Sequence, residues 1–551
     1  MNRWRLTIVM FVFAGFYFYL MYNLYDLQIN ENKTYAAKVE NQQLASGYLE
    51  PSRGSIYFID SRNDKPTPAV FNKNFPLIYA APKEIEDVKE AVNYLSPILK
   101  ISASDLEKKL NKPGDQYEVL FFKAPESQVS AVKKLNLKGI YVKEEMSRNY
   151  QFGSMASNVL GYVGPITDAE SSDQWPNQKG FYGIESFFDK ELSGEAGGIK
   201  DDKLTPVLDG KDLTLTIDFN IQDEAEKILK KTIDQWGAES GNVIVQDPYT
   251  GKILAMGNFP NFDPNNYSQS SIKNFLNTNV QAVYEPGSVF KIITMSAGID
   301  SGKITPDTTY VDPGFAVING RRVENWDFRQ NGAHGTQTMT NVIEHSINTG
   351  SIFAEKQTGH ETFYNYLVDF GFDDLTGIKL PGEVKGSLNN LKKGKDIEYA
   401  TASYGQGVSV TPIELISAFS AVANGGVLMK PVILNDDQPE VVRRVISKDT
   451  AGKVVQMMVS AVEKNFLAAI PNYNVAGKTG TAFVPEKGGY SDDVINTYMG
   501  FAPAFNPKFI ILIRVDKPKN APLAGQTVVP AFRELTEFLL RYYNIAPDNL
   551  H

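Results

Sequence analysis

The chain has 551 residues, no cysteine, four histidines and a formal net charge of −9. That length leaves room for several domains, and an acidic balance with no basic stripe argues against a nucleic-acid-binding protein. The lack of cysteine is compatible with an oxidising exterior without requiring one.

After Arg3 and Arg5, the 19 residues from Leu6 to Leu24 carry no charge, and only Thr7 and Asn23 are strongly polar. An apolar run of about 20 residues crosses a bilayer as a helix. Trp4 at one end, with Tyr22 and Tyr25 at the other, fits interfacial aromatic belts, and the arginines place the terminus in the cytoplasm. A cleaved signal peptide is the alternative. The flank Tyr22-Asn23-Leu24-Tyr25-Asp26 offers no A-x-A-like cleavage site, which favours an uncleaved anchor.

From about Tyr25 to Lys203 the chain mixes short strand-like runs with polar breaks. Glu86 to Leu99 reads as an amphipathic helix and Ser104 to Leu110 as a shorter one, with packing the plainer role for both. A new region begins near the alternating strand Leu213 to Asp218. Gly241 to Asp247, the turn Pro248-Tyr249-Thr250-Gly251 and Lys252 to Met256 then read as a β-hairpin. Thr411-Pro412-Ile413-Glu414 is a capping box that opens a helix ending at Asn424-Gly425-Gly426. Thr497 to Ala502 and Phe509 to Val515 supply further strands. Strands at both ends with helices between predict an antiparallel sheet with helices on its faces, within a multi-domain α+β chain.

Three motifs carry chemistry. Ser288-Val289-Phe290-Lys291 follows Pro286-Gly287 and opens a segment apolar on nearly every side. A serine at a helix start faces free N–H groups, and a lysine three residues on shares its helix face. Ser346-Ile347-Asn348 comes next, with Trp326 and His334-Gly335 upstream of it. Lys478-Thr479-Gly480-Thr481 reads as an edge strand whose glycines admit another backbone. Each pattern is common alone. Ser130 to Lys133 and Ser270 to Lys273 repeat the first, and Ser387-Leu388-Asn389 repeats the second. A serine alcohol needs a base, and His334, His345, His360 and His551 form no recognised triad motif. Lys291 serves if burial and a nearby cation, Lys478, lower its pKa.

In this order the motifs resemble the penicillin-binding transpeptidase superfamily, and the remainder narrows the likeness to the high-molecular-mass class B group. The resemblance implies that Ser288 attacks the penultimate D-Ala carbonyl of a peptidoglycan stem peptide ending in D-Ala-D-Ala. A neighbouring stem amine then takes the acyl group. It further implies Lys291 as acylation base, Ser346 as proton relay, and Asn348 holding Lys291 and the substrate amide. Lys478 pairs with Ser346 and the substrate carboxylate. Thr479, Gly480 and Thr481 bind substrate, the backbone N–H groups of Ser288 and Thr481 form the oxyanion hole, and Trp326 walls the cleft.

No metal or cofactor is implied; β-lactams are expected ligands. The resemblance also implies a SEDS-family lipid II polymerase and other division proteins as partners, and a septal rather than elongation role. The implied layout is a cytoplasmic stub and anchor over 1–25, a pedestal or dimerisation domain with an inserted head over 26–205, and a transpeptidase domain over 206–551. The protein would be single-pass in the bacterial plasma membrane with its catalytic domain outside. Arg53-Gly54-Ser55-Ile56, Arg148-Asn149-Tyr150, Leu160-Gly161-Tyr162-Val163-Gly164 and Gly183-Ile184-Glu185 through Leu192-Ser193-Gly194 resemble pedestal motifs. Tyr57-Phe58 and Gln151 depart from them, where Asp and Pro are often found.

Two other classes remain. A β-lactamase or D,D-carboxypeptidase would use the same acyl-enzyme, but no extra base for water stands out: Glu383 is wrongly spaced. A non-catalytic scaffold or β-lactam sensor would have no need of five intact polar groups.

Overall fold

The computed structural model describes residues 51–166, 178–200, 203–486, 488–521 and 523–549, together with Trp4, Phe13, Phe16, Tyr17 and Tyr19. The expected membrane span lies outside the described residues except for Phe13, Phe16, Tyr17 and Tyr19. Among the described residues no helix is long and apolar enough to cross a membrane. The chain divides into two compact units, one comprising 1–54, 165–178 and 190–211, the other 55–164, 179–189 and 212–551.

In the smaller unit the Arg53-Gly54 and Leu192-Ser193 motifs meet. Arg53 Nη1 donates to Ser193 Oγ at 2.7 Å and Gly54 N to Leu192 O at 2.8 Å.

The larger unit starts with β1 (Ile56–Asp60) and the long β2 (Lys65–Ala80). Three helices, α1 (Val88–Leu99), α2 (Ala103–Leu110) and α3 (Glu126–Leu135), flank β3 (Glu118–Phe122), before β4 (Ile140–Tyr150). Asp87 and Ser102 cap the first two helices through side-chain oxygens. Their apolar faces bury Leu95, Leu99, Leu106 and Leu110 with Val129 and Val132, against Ile78 and Ala80 of β2. The helices pack, as expected.

β5 (Leu213–Asp218) pairs in parallel with β1, completing a sheet of order β3-β2-β1-β5 with β4 alongside β2. The strand read as opening the catalytic region thus belongs to the N-terminal sheet. Asp212 anchors that pairing by accepting Ser55 N at 2.6 Å. The Arg148, Tyr150 and Glu185 motifs also converge. Arg148 Nε donates to Glu185 Oε1 at 2.8 Å, with side chains 5% and 0% exposed, and Tyr150 OH reaches the same oxygen at 3.2 Å. A buried charge persists only when paired in this way.

Asp218 caps α4 (Phe219–Trp236), accepting Asn220 N and Ile221 N. The predicted hairpin follows as β6 (Ser240–Gln246) and β7 (Ile253–Phe259). α5 (Lys291–Asp300), the small hairpin β8 (Phe315–Ile318) and β9 (Arg321–Glu324), and α6 (Asn348–Thr358) come next, then α7 (Pro412–Ala423) and α8 (Lys448–Asn465). Thr411 and Glu414 form the predicted capping box of α7, which is buried along its whole length. The chain closes with β10 (Ala476–Glu486), β11 (Gly489–Ala502), β12 (Phe509–Asp516) and α9 (Ala524–Tyr542).

Five antiparallel strands in the order β7-β6-β12-β11-β10 make the central sheet. One face buries Val243, Val245, Ile511 and Ile513 under Ile221 and Leu229 of α4 and Val528 and Phe532 of α9. α7 packs on β6 and β12 and α8 on β10, so helices cover both faces, as the element pattern predicts. β10 remains an edge, and its free side borders the site.

Candidate active site

Ser288 lies in a tight helical turn, Gly287–Phe290, leading directly into α5. Gly287 has φ +64, and a Cβ there would lie 3.0 Å from Thr481 O, so only glycine brings this turn against β10. Gly480 makes the reciprocal approach: its Cβ would lie 2.8 Å from Pro286 O. Of the substrate-binding residues expected on this strand, Lys478, Thr479 and Thr481 line the cleft. Gly480 instead packs against the serine turn, permitting the approach rather than facing the opening.

Ser346 is held in the left-handed region, φ +55, between two helices, immediately before α6 starts at Asn348. Such a conformation is costly for a serine and persists only where its surroundings fix it. They do. Asn348 Nδ2 donates to Glu324 O at 2.9 Å, and Asn465 Nδ2 to Glu344 O at 3.1 Å.

The three motifs converge around one amine. Lys291, fully buried, donates from Nζ to Ser346 O at 2.5 Å, Ser346 Oγ at 3.2 Å and Asn348 Oδ1 at 2.9 Å. Lys478 Nζ donates to the same Ser346 Oγ at 2.9 Å and also touches Thr479 O and Oγ1 at 3.3 and 3.4 Å. Ser346 Oγ therefore bridges two lysines. The direct reach from Lys291 to the Ser288 hydroxyl that helix spacing predicts is not made; the amine turns toward the Ser346–Asn348 segment, and Ser288 stays in the opening. Catalytic hydrogen bonds commonly tighten only once substrate binds.

Burial, then the neighbouring Lys478 cation, holds Lys291 well below the usual lysine range, with Asp327 partly offsetting them. Burial alone brings Lys478 down to about 7. A depressed lysine pKa favours the neutral amine, whose lone pair a serine nucleophile needs as its base.

Ser288, Ser346, Asn348, Lys478, Thr479, Thr481 and Trp326 all line one cleft of about 1160 Å³. Trp326 is 58% exposed and donates from Nε1 to His345 O at 3.1 Å, which sets it as a wall beside Ser346. Thr481 Oγ1 accepts Ala524 N, the first N–H of α9, at 3.3 Å; its own O–H proton stays available. The decoys fall elsewhere: Ser130 and Lys133 lie on α3, and neither Ser270 nor Ser387 lines the cleft.

Sequence reading missed part of the wall. The β8–β9 hairpin brings Arg321, Arg322 and Glu324 to the cleft. Arg322 is fixed over the Phe315 ring at 3.6 Å and by Glu324 at 2.7 Å. Asp327, only 4% exposed, faces His334 across 3.2 Å. Among the described residues no cluster of three or more His, Cys, Asp or Glu is placed to hold a metal.

Comparison with known proteins identifies the family. Residues 241–537 match the penicillin binding protein transpeptidase domain and residues 48–204 the penicillin-binding protein dimerisation domain. Stage V sporulation protein D of Bacillus subtilis is 33% identical over 513 residues, covering 87% of this chain and 76% of that protein. Peptidoglycan D,D-transpeptidase FtsI of Escherichia coli is 28% identical, covering 86% and 81%. The solved penicillin binding protein 3 of Mycobacterium tuberculosis, complexed with aztreonam, superposes with a TM-score of 0.69 at 26% identity, covering 92% of this chain and 99% of that one. Fold and site together define a serine acyltransferase of the penicillin-binding kind. The chain belongs to the penicillin-binding transpeptidase family, in its class B branch.

Proposed function

We propose that this protein is a peptidoglycan D,D-transpeptidase in which Ser288 is the nucleophile, Lys291 its base and Ser346 the proton relay to the leaving D-Ala amine. The observation that carries this reading is the shared hydrogen bonding of Ser346 Oγ by Lys291 at 3.2 Å and Lys478 at 2.9 Å beside Ser288. The neutral Lys291 amine takes the Ser288 proton as Oγ attacks the penultimate D-Ala carbonyl. The proton then passes through Ser346 Oγ to the departing amine. Asn348 keeps Lys291 in place and offers its amide to the substrate backbone, while Lys478, Thr479 and Thr481 hold the terminal carboxylate.

The N–H groups of Ser288 and Thr481 stabilise the oxyanion, and a single donor of this kind contributes about 3 kcal/mol to the transition state. A β-lactam offers the same carboxylate and acyl carbon, so it acylates Ser288 and stays. The apolar run from Leu6 to Leu24 supports a single anchor with this chemistry outside the membrane, and the transpeptidase match over 241–537 supports a catalytic domain within 206–551. A septal role, beside a SEDS-family lipid II polymerase, is the finer reading, and it rests on the motif resemblance to the class B group.

Purified full-length protein given a stem peptide ending in D-Ala-D-Ala and an amine-bearing acceptor peptide releases D-Ala and forms the amide-linked dimer. D-Ala release without dimer, at any acceptor concentration, would mark a carboxypeptidase instead.

A further inference from the structure

Transpeptidation has a second half, and the groups so far named account for the first. The acceptor reaches the acyl-enzyme as a primary ammonium, which is not a nucleophile until it loses a proton. Lys478 presents its amine to the cleft and, while charged, repels that ammonium.

On the wall of the same cleft stands a group of opposite character. Asp327 is 4% exposed, and its carboxylate receives Asn331 Nδ2 at 3.1 Å and faces His334 Nε2 at 3.2 Å. Asp327 and His334 both line the same cleft as Ser288. His334 is fixed by its backbone and its ring. Its backbone N–H donates to buried Asp312 at 2.9 Å, its ring stacks on His345 at 5.8 Å, and Asp327 takes Nε2. With Nε2 directed at the carboxylate, Nδ1 is the basic nitrogen, and among the described residues it has no hydrogen-bond partner. A carboxylate-oriented imidazole with a free nitrogen, lining a reaction cleft, is the arrangement of a general base. The acylation step does not use it.

We propose that Asp327 and His334 form the subsite that receives the acceptor's primary ammonium, with His334 as the catalytic residue that deprotonates it. This rests on the transpeptidase reading above. Nδ1 removes one proton from R–NH3+ and releases it to solvent, leaving the free amine. The amine attacks the Ser288 ester carbonyl; the C–N bond forms and the C–Oγ bond breaks. The second N–H proton passes through Lys291 to Ser288 Oγ, restoring the free enzyme. Asp327 keeps the imidazole oriented and supplies the negative charge that draws the ammonium past Lys478.

The test separates the two halves in the full-length protein. His334→Gln keeps a side chain of similar reach without the base. It lowers acceptor-dependent aminolysis of a D-Ala-D-Ala donor peptide at least about ten-fold more than it lowers penicillin acylation. His334→Ala shows the same split, and free imidazole restores its aminolysis. Asp327→Asn raises the KM for the acceptor peptide more than for the donor. Parallel falls in acylation and aminolysis, or aminolysis with no response to imidazole, would overturn the proposal by reducing His334 to a packing role. Failure of the wild-type protein to be acylated by penicillin would overturn the underlying transpeptidase reading instead.

Discussion

Replacing Lys291 with methionine lowers the second-order rate of penicillin acylation by about 10³-fold and leaves the protein folded. A positioned general base contributes roughly 10² to 10⁴ to such a step, and among the described residues only Lys291 links the serine helix to the Ser346 relay. Methionine has similar length and no charge, and it enters a helix whose neighbours Val289, Phe290, Ile292 and Ile293 are all fully buried. The cost is the loss of hydrogen bonds to Ser346 O and Asn348 Oδ1. Against it stands a gain. Lys291 has a depressed folded pKa, so the unfolded chain binds the proton more tightly. Its burial therefore costs stability below the folded pKa, and the cost fades as pH rises toward the ordinary lysine value. Circular dichroism and thermal melting, run beside stopped-flow acylation, separate a lost base from a lost fold. A rate within ten-fold of wild type would assign the base elsewhere.

Removing the second lysine changes both the rate and its pH dependence. Acylation requires Lys291 neutral, so in the wild type the rate rises with pH through the Lys291 pKa. It falls again as Lys478, down at about 7, loses the charge that holds the substrate carboxylate. Lys478 is one of the two causes that lower Lys291, after burial. In Lys478→Met that cation is gone and the Lys291 pKa rises. The acid limb of the profile therefore moves to higher pH, and the basic limb due to Lys478 disappears. At neutral pH the rate falls by about 10- to 100-fold, the equivalent of one charge-assisted hydrogen bond to a carboxylate. A profile that keeps its acid limb in place would show that the two amines are not electrostatically coupled.

The five polar groups of the site were legible because each sits in a short motif whose local geometry is set by chain direction. A helix start presents Ser288 and Lys291, a left-handed turn and the helix start after it present Ser346 and Asn348, and an edge strand presents Lys478. The capping box of α7 and the hairpin of β6 and β7 were readable for the same reason: the signal and the structure span the same few residues. What escaped depends on chain segments distant in sequence. Nothing local to Leu213–Asp218 says that it pairs with Ile56–Asp60 rather than with the catalytic sheet. Nothing near Thr481 announces that its hydroxyl oxygen receives Ala524 N. The approach of Asp327 to His334 depends on the Asp312 hub, which ties together Asn325, Thr349 and the His334 backbone. Lys291 turning to Ser346 instead of Ser288 is likewise a tertiary choice, made by the carbonyl and amide that α6 brings to it.

The central claim is that Ser288 is the acylated nucleophile of a site assembled from all three motifs. Intact-mass spectrometry and peptide mapping after exposure to benzylpenicillin test it most directly. The full-length protein gains one penicilloyl group that persists for many turnover times and maps to Ser288, and Ser288→Ala gains none. An adduct on any other residue, or an unmodified wild-type protein, would contradict the account.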